Sequence, residues 1–379
     1  MREPRFRPSE ILSLLDHHPT HNLGESTSFD LTYADLLDDA TLARLRETPV
    51  AYGSSLGLPE LRQRIGRNLG IEPDRLILLS GAGLGLFLAG LELVRPGDEA
   101  LVCTPCFPPS LEGLRAGGGE VRTRSLRFDE GYAVDVGRLL ADVTDRTTLV
   151  SLASPQNPSG VSVPRASVTD LAEGLAKRNP RAFLIVDETY REAAIEREIE
   201  PSVAGLAPNI ITAASLSKAH GAPGLRVGWA TTHSRELLAR LKQGKLNTAN
   251  TLPIADEIMA LAVLDRSDKI LGERRALLLD NLERLAIFAE EHAGLIDWIR
   301  PDAGALSCAR LTERAFDDGA VTRFHRCQSE HDLMVADGRW FHETARVIRI
   351  GFGMQRGAEF DEALGALAAA LHDAASAVA

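Results

Sequence analysis

At 379 residues, with 44% hydrophobic and 25% charged side chains, the chain is long enough for a sizeable core and two domains, and its composition is ordinary for a globular protein. A formal net charge of −11 argues against polyanion binding, so no nucleic-acid partner is expected, and the acidic residues are spread along the chain as solvated helix faces. Four cysteines do not make a disulfide framework at this size, and the lone C-x-x-C of Cys103 and Cys106, with a proline inside it, predicts neither metal nor redox use.

In chain order, the segment 1–8 carries basic residues with no apolar run behind it, so a secretory signal is not expected and a cytoplasmic location is. The most apolar stretch, Leu76 to Val94, is interrupted by Ser80, Gly81, Gly83, Gly85 and Glu92, which predicts a buried strand, a turn and a core helix rather than a membrane span. From about Pro49 to Asn250 short apolar runs alternate with amphipathic stretches, the pattern of a parallel sheet covered by helices. Strands are predicted at Leu76–Leu79, Ala100–Cys103, Glu120–Arg124, Thr148–Leu152, Phe183–Val186, Ile210–Ala213 and Leu225–Ala230. Helices are predicted at Leu84–Leu93, Ser110–Ala116, Ala166–Lys177 and Arg235–Lys242. One long helical stretch, Ile254 to Glu291, then leads to short strands near Ile296–Arg300, Ala305–Leu311, Leu333–Val335 and Val347–Gly351 and a closing helix at Phe360–Ala375. The expected organisation is an N-terminal segment (1–48) packed on a small lobe, a large domain (49–252) and a small α+β domain (253–379).

The most informative stretch is Ser215-Leu216-Ser217-Lys218-Ala219-His220-Gly221-Ala222-Pro223-Gly224-Leu225-Arg226. A lysine between small hydroxyl residues, with glycine-rich backbone and an arginine eight positions on, suits an imine to an aldehyde cofactor whose phosphate the arginine holds. Phe183-Leu184-Ile185-Val186-Asp187 is an apolar strand ending in an acid, and Ser80-Gly81-Ala82-Gly83 offers free backbone N–H groups between a strand and a helix. Val347-Ile348-Arg349-Ile350-Gly351 places one charged residue in an apolar strand, a costly choice unless the charge is paired.

Together with Asn157-Pro158-Ser159-Gly160 and Tyr190, these segments resemble, in order along most of the chain, the fold-type I pyridoxal phosphate (PLP) enzymes of the class I/II aminotransferase family. That resemblance implies an α/β fold with a mostly parallel seven-stranded sheet between helices and a smaller α+β lobe. It implies PLP as a Schiff base on Lys218, with Asp187 under the ring nitrogen, Tyr190 and Asn157 on the ring oxygen, and Phe107 stacked on the ring. The phosphate would fall to Gly81, Ala82, Gly83, Ser215, Ser217 and Arg226; many relatives carry a hydroxyl residue where Ala82 stands, which shifts the load to the last three. Arg349, with Asn157, would bind the substrate carboxylate, and Tyr52 would reach the phosphate of a neighbouring subunit, with Asn250 a weaker match of the same kind. A homodimer with shared sites follows.

The implied reaction is transamination between an α-amino acid and a keto acid. Leu93-Val94-Arg95-Pro96-Gly97-Asp98-Glu99 and the lysine segment also resemble capreomycidine synthase-like members, which eliminate from and cyclise hydroxylated arginine, while other relatives oxidise arginine. In Asn22-Leu23-Gly24-Glu25-Ser26-Thr27-Ser28, where many members carry a Gly-x-Pro-Asp-like turn, Glu25 is expected to meet a cationic side chain under that second reading. Other classes fit less well: an α-oxoamine acyltransferase would stack a histidine where Phe107 stands, and a DNA-binding regulator would need a domain ahead of Tyr52. A binding-only homologue would lack Lys218 or Asp187.

Overall fold

The computed structural model describes Phe6 and residues 8–375; most of the segment read for a leader, residues 1–5 and 7, lies outside the described residues. Two sheets organise the chain. The larger has seven strands: β2 (Leu76–Ser80), β3 (Glu99–Thr104), β4 (Glu120–Ser125), β5 (Thr147–Ala153), β6 (Phe183–Asp187), β7 (Ile210–Ser215) and β8 (Val227–Thr232). They lie in the order β2-β8-β7-β6-β5-β3-β4, with only β8 antiparallel to its neighbours. This is the mostly parallel seven-stranded sheet expected from the sequence.

The strands read as near-continuous apolar runs because both faces are covered. On one face Ile77, Val102, Leu149, Ile185 and Ile211 pack with Leu86 and Leu241 of the helices Ala82–Leu93 and Arg235–Leu246. Alternate residues such as Leu101, Val150 and Leu184 pack against Val168, Leu171 and Leu175 of the helix Arg165–Arg178. The period of two along each strand thus sends successive side chains into opposite helical layers.

The second sheet runs β1-β11-β12-β10-β9, from β1 (His21–Leu23), β9 (Ile296–Ile299), β10 (Leu306–Leu311), β11 (Leu333–Asp337) and β12 (Val347–Gly351). β1, unforeseen in the sequence, pairs parallel with β11, so residues near the N-terminus complete a sheet built from the C-terminal third. Gly351 makes room for this: a Cβ there would sit 1.7 Å from the Glu25 carbonyl oxygen, so no larger residue lets the chain after β1 pass over β12.

Two expected elements need correction. The helical stretch Ile254 to Glu291 is two helices, Ile254–Asp265 and Ser267–Glu291, broken at Arg266. Both junction residues have tertiary partners, Arg266 on Asp38 at 2.6 Å and Ser267 on His220 at 2.9 Å, and neither is visible to a periodicity. The strand expected at Leu225–Ala230 begins at Val227, because Pro223–Leu225 forms a 3-10 turn and Arg226 takes a left-handed φ of 50°. Among the described residues no helix is long and apolar enough to cross a membrane.

Candidate active site

The carboxyl ends of β5, β6 and β7 open onto a cavity of about 820 Å³, where open α/β sheets offer their crevice. Its lining includes Lys218, Asp187, Tyr190, Asn157 and Arg349, together with the Gly81–Gly83 turn, Phe107, Ser215, Ser217, Arg226 and Glu25. Residues scattered over more than 300 positions meet there: Asn157, Asp187, Tyr190 and Lys218 at or just after the carboxyl ends of β5, β6 and β7, Arg349 from within β12 of the second sheet, and Arg226 just ahead of β8.

Lys218 comes three residues after β7, in a loop closed by Ala222 N–H donating to the Leu216 carbonyl at 3.0 Å. Its Nζ donates to Ser26 Oγ at 3.1 Å, and the Tyr190 hydroxyl donates to the same oxygen at 2.9 Å. Asn157 Nδ2 donates to the Tyr190 hydroxyl at 3.4 Å, while Asn157 Oδ1 accepts from an Arg349 N–H at 3.0 Å. A hydrogen-bonded chain therefore crosses the cavity from the lysine to the arginine. Ser26 sits in a segment singled out above for Glu25; its hydroxyl was not anticipated.

Asp187 ends β6, its Oδ1 accepting from the Thr189 backbone N–H at 3.0 Å and from Thr189 Oγ1 at 2.5 Å. Burial raises its carboxyl above the usual range, while those hydrogen bonds pull the other way. No cation pairs with it among the described residues. A protonated ring nitrogen would supply the missing partner.

Opposite Asp187, Gly81 stands at the N-cap of the helix Ala82–Leu93 with φ 81° and no side-chain cap. Gly81 lets the Arg226 guanidinium lie close to the helix end, where a Cβ would stand 2.7 Å from it, and its positive φ itself favours glycine. Arg226 is exposed, donates to the Pro223 carbonyl at 3.1 Å, and forms no ion pair among the described residues. Ser215 and Ser217 are buried beside it. Free N–H groups at a helix start, two hydroxyls and an unpaired guanidinium suit a dianionic phosphate.

Arg349 is 1% exposed, lies over the Phe341 ring at 4.6 Å, and donates to Asn157 and to the Gly24 carbonyl. Burial lowers its pKa, and its Nε is left without a partner. That is an arginine held in place with capacity for a carboxylate. Glu25 lines the same cavity with no hydrogen bond or ion pair among the described residues, within electrostatic reach of Arg349 and Asp30.

Tyr52 and Asn250 stand apart. Tyr52 is 85% exposed and Asn250 is exposed, and neither lines the cavity of its own chain. Cys103 and Cys106 are free and buried, which pushes both thiols up to about 12. Among the described residues no group of three or more His, Cys, Asp or Glu side chains is placed to hold a metal ion.

An amine for a carbonyl, an acid for a ring nitrogen and a cup for a phosphate, gathered at one edge of this fold, define the class of fold-type I PLP-dependent enzymes. The chain belongs to the class I and II aminotransferase family, whose model matches residues 23–367. It is 30% identical over 341 residues to capreomycidine synthase of Streptomyces vinaceus, covering 88% of this chain and 86% of the relative. Arginine–pyruvate transaminase of Pseudomonas aeruginosa is 35% identical over 186 residues, 47% of each chain. The crystal structure of a PLP-dependent cyclase, OrfR, superposes with a TM-score of 0.86 at 25% identity, covering 98% of this chain and 99% of that one.

Proposed function

We propose that this enzyme transforms an α-amino acid, with aminotransfer to a keto acid as the reaction the family supports first. The observation that carries the reading is the buried chain Lys218–Ser26–Tyr190–Asn157–Arg349, which sets an amine and a carboxylate anchor on one cavity. Bound PLP supplies the electron sink that makes an α-hydrogen acidic. Lys218 is the attachment residue and, when displaced, the base that takes the α-proton on Nζ. Asp187 would hold the proton on the ring nitrogen, Tyr190 and Asn157 would donate to the ring oxygen, and Phe107 would cover the ring. Gly81, Ala82, Gly83, Ser215, Ser217 and Arg226 receive the phosphate. Arg349 and Asn157 orient the amino acid by its carboxylate.

The working form is a homodimer in which Tyr52, exposed on its own chain, reaches the neighbour's phosphate. Residues 1–48, 49–252 and 253–379 form its three parts, the two sheets supporting the division of the larger two. The four unpaired cysteines fit a reducing compartment, the cytoplasm.

A second reading, arginine-directed elimination and cyclisation or oxidation, is favoured by one observation: the Glu25 carboxylate lines the cavity with no hydrogen bond or ion pair among the described residues. The likeness to capreomycidine synthase and to an arginine transaminase supports a guanidinium as that partner. Mass spectrometry of products from a panel of amino acids separates the readings. Aminotransfer yields keto acid in equal amount with aminated cofactor; ammonia, a cyclic product or peroxide would replace it with the second. Glu25→Gln should erase a preference for arginine over leucine of about ten- to a hundredfold, and equal binding of all amino acids by both proteins would remove the arginine reading.

A further inference from the structure

Ser26 is contributed by the segment that follows β1, not by the large sheet, and is 4% exposed. Its place is set from two sides. The Glu25 carbonyl passes over Gly351, and Phe29 N–H donates to the Gly353 carbonyl at 3.2 Å. At that point Ser26 Oγ accepts from Lys218 Nζ at 3.1 Å and from the Tyr190 hydroxyl at 2.9 Å. Both lone pairs of the serine oxygen are thereby used, which leaves its own O–H as the only remaining hydrogen-bonding capacity. No hydrogen bond from that O–H is formed among the described residues. Lys218 has no ion pair there either, so Ser26 is the group on which its amine rests.

We propose that Ser26 is a catalytic residue that holds the Lys218 amine during proton transfer. When Nζ takes the α-proton, the C–H bond breaks, its electron pair stays with the α-carbon, and the new N–H leaves an ammonium with three hydrogens to place. Ser26 Oγ accepts one of them and keeps the other two turned into the cavity; no net proton ends on the serine. The remaining links, Tyr190 to Asn157 and Asn157 to Arg349, tie the position of Ser26 to the carboxylate anchor, and when the Tyr190 proton turns to the ring oxygen the otherwise unused Ser26 O–H donates to Tyr190 in its place. A seated substrate and an aimed amine are then one arrangement. The proline of the Gly-x-Pro-Asp-like turn common in this family has no hydroxyl to offer, so the contact belongs to this chain's Gly24-Glu25-Ser26-Thr27 wording.

The proposal rests on Lys218 as the proton carrier, and the experiment tests both separately. Wild type, Ser26→Ala, Ser26→Thr and Lys218→Ala are loaded with PLP and placed in deuterated water with arginine or alanine. Deuterium uptake at the α-carbon is read by mass spectrometry, and PLP affinity and melting temperature are measured on the same samples. Ser26→Ala should slow uptake by about tenfold or more with PLP affinity held within about threefold, and Ser26→Thr, which keeps the hydroxyl, should restore most of the rate. Uptake in Ser26→Ala within about twofold of wild type would overturn the proposal. So would a parallel loss of uptake and PLP affinity in both serine variants, which would make Ser26 structural. Wild-type uptake no faster than that of Lys218→Ala would instead remove Lys218 as the carrier, and the role of Ser26 with it.

Discussion

Asp187 has opposite effects on the protein with and without a cationic partner, because burial raises its carboxyl and no cation among the described residues offsets this. The unfolded chain releases this proton near the ordinary carboxylate value and the folded chain only above it. Between those two points the folded state holds the extra proton, so the residue's contribution to stability falls as pH rises through that range. Asp187→Asn should therefore melt higher than wild type at pH 7 when both lack PLP, with the gap closing in acid, and should bind PLP more weakly. A lower melting point of the PLP-free variant at pH 7 would contradict this account. Arg349 presents the converse case, a buried cation already seated on Phe341, Asn157 and the Gly24 carbonyl. Arg349→Ala should weaken amino acid binding by about 2–5 kcal/mol while PLP affinity changes far less. Spectral titration with each ligand separates the two, and equal losses would make Arg349 a structural residue.

Among the elements, the crossing of the post-β1 segment over β12 decides whether the cavity is complete. Gly351→Ala puts a methyl group into the Glu25 carbonyl and should cost about 1–3 kcal/mol as β1 and β12 are pushed apart, carrying Glu25 and Ser26 away from Lys218. Thermal unfolding and α-hydrogen exchange should both register it, and a variant with unchanged exchange would show that the segment has room to spare. The loop before the helix Pro59–Leu69 depends on buried charge instead. Lys245 Nζ donates to the Ser55 carbonyl at 3.1 Å, and Glu257 Oε1 accepts from Leu58 N–H at 3.1 Å while its Oε2 has no partner. Burial brings the Lys245 ammonium down to about 8 from 10.5. Across that window the unfolded state binds more protons than the folded one, so this group's contribution to stability grows with rising pH. The stability of wild type relative to Lys245→Met should accordingly improve between those two pH values in denaturant titrations; a flat difference would refute the assignment.

For the whole molecule the question is how many chains make a site. Val50 and Tyr52 are fully or largely exposed, and neither lines the cavity of its own chain. Sedimentation should give twice 41.0 kDa. Mixing inactive Lys218→Ala with impaired Tyr52→Phe should recover activity, since one site of each mixed dimer then has a wild-type lysine and a wild-type tyrosine. Full activity of a monomer would end the shared-site reading.

The sequence by itself carried the sheet, through local apolar patterning, and the class of chemistry, through a resemblance spread over most of the chain. An apolar strand ending in Asp187, a glycine turn at a helix start and a lysine after two serines are each a weak signal alone, and it is their order along the chain that resembles the family. Only the tertiary structure could decide the contact between Ser26 and Lys218, the pairing of β1 with β11 and the break at Arg266. Each depends on partners 47 to more than 300 residues away. A hydroxyl in a polar loop reads as solvated until the fold brings a buried amine against it, and no periodicity along the chain encodes that meeting.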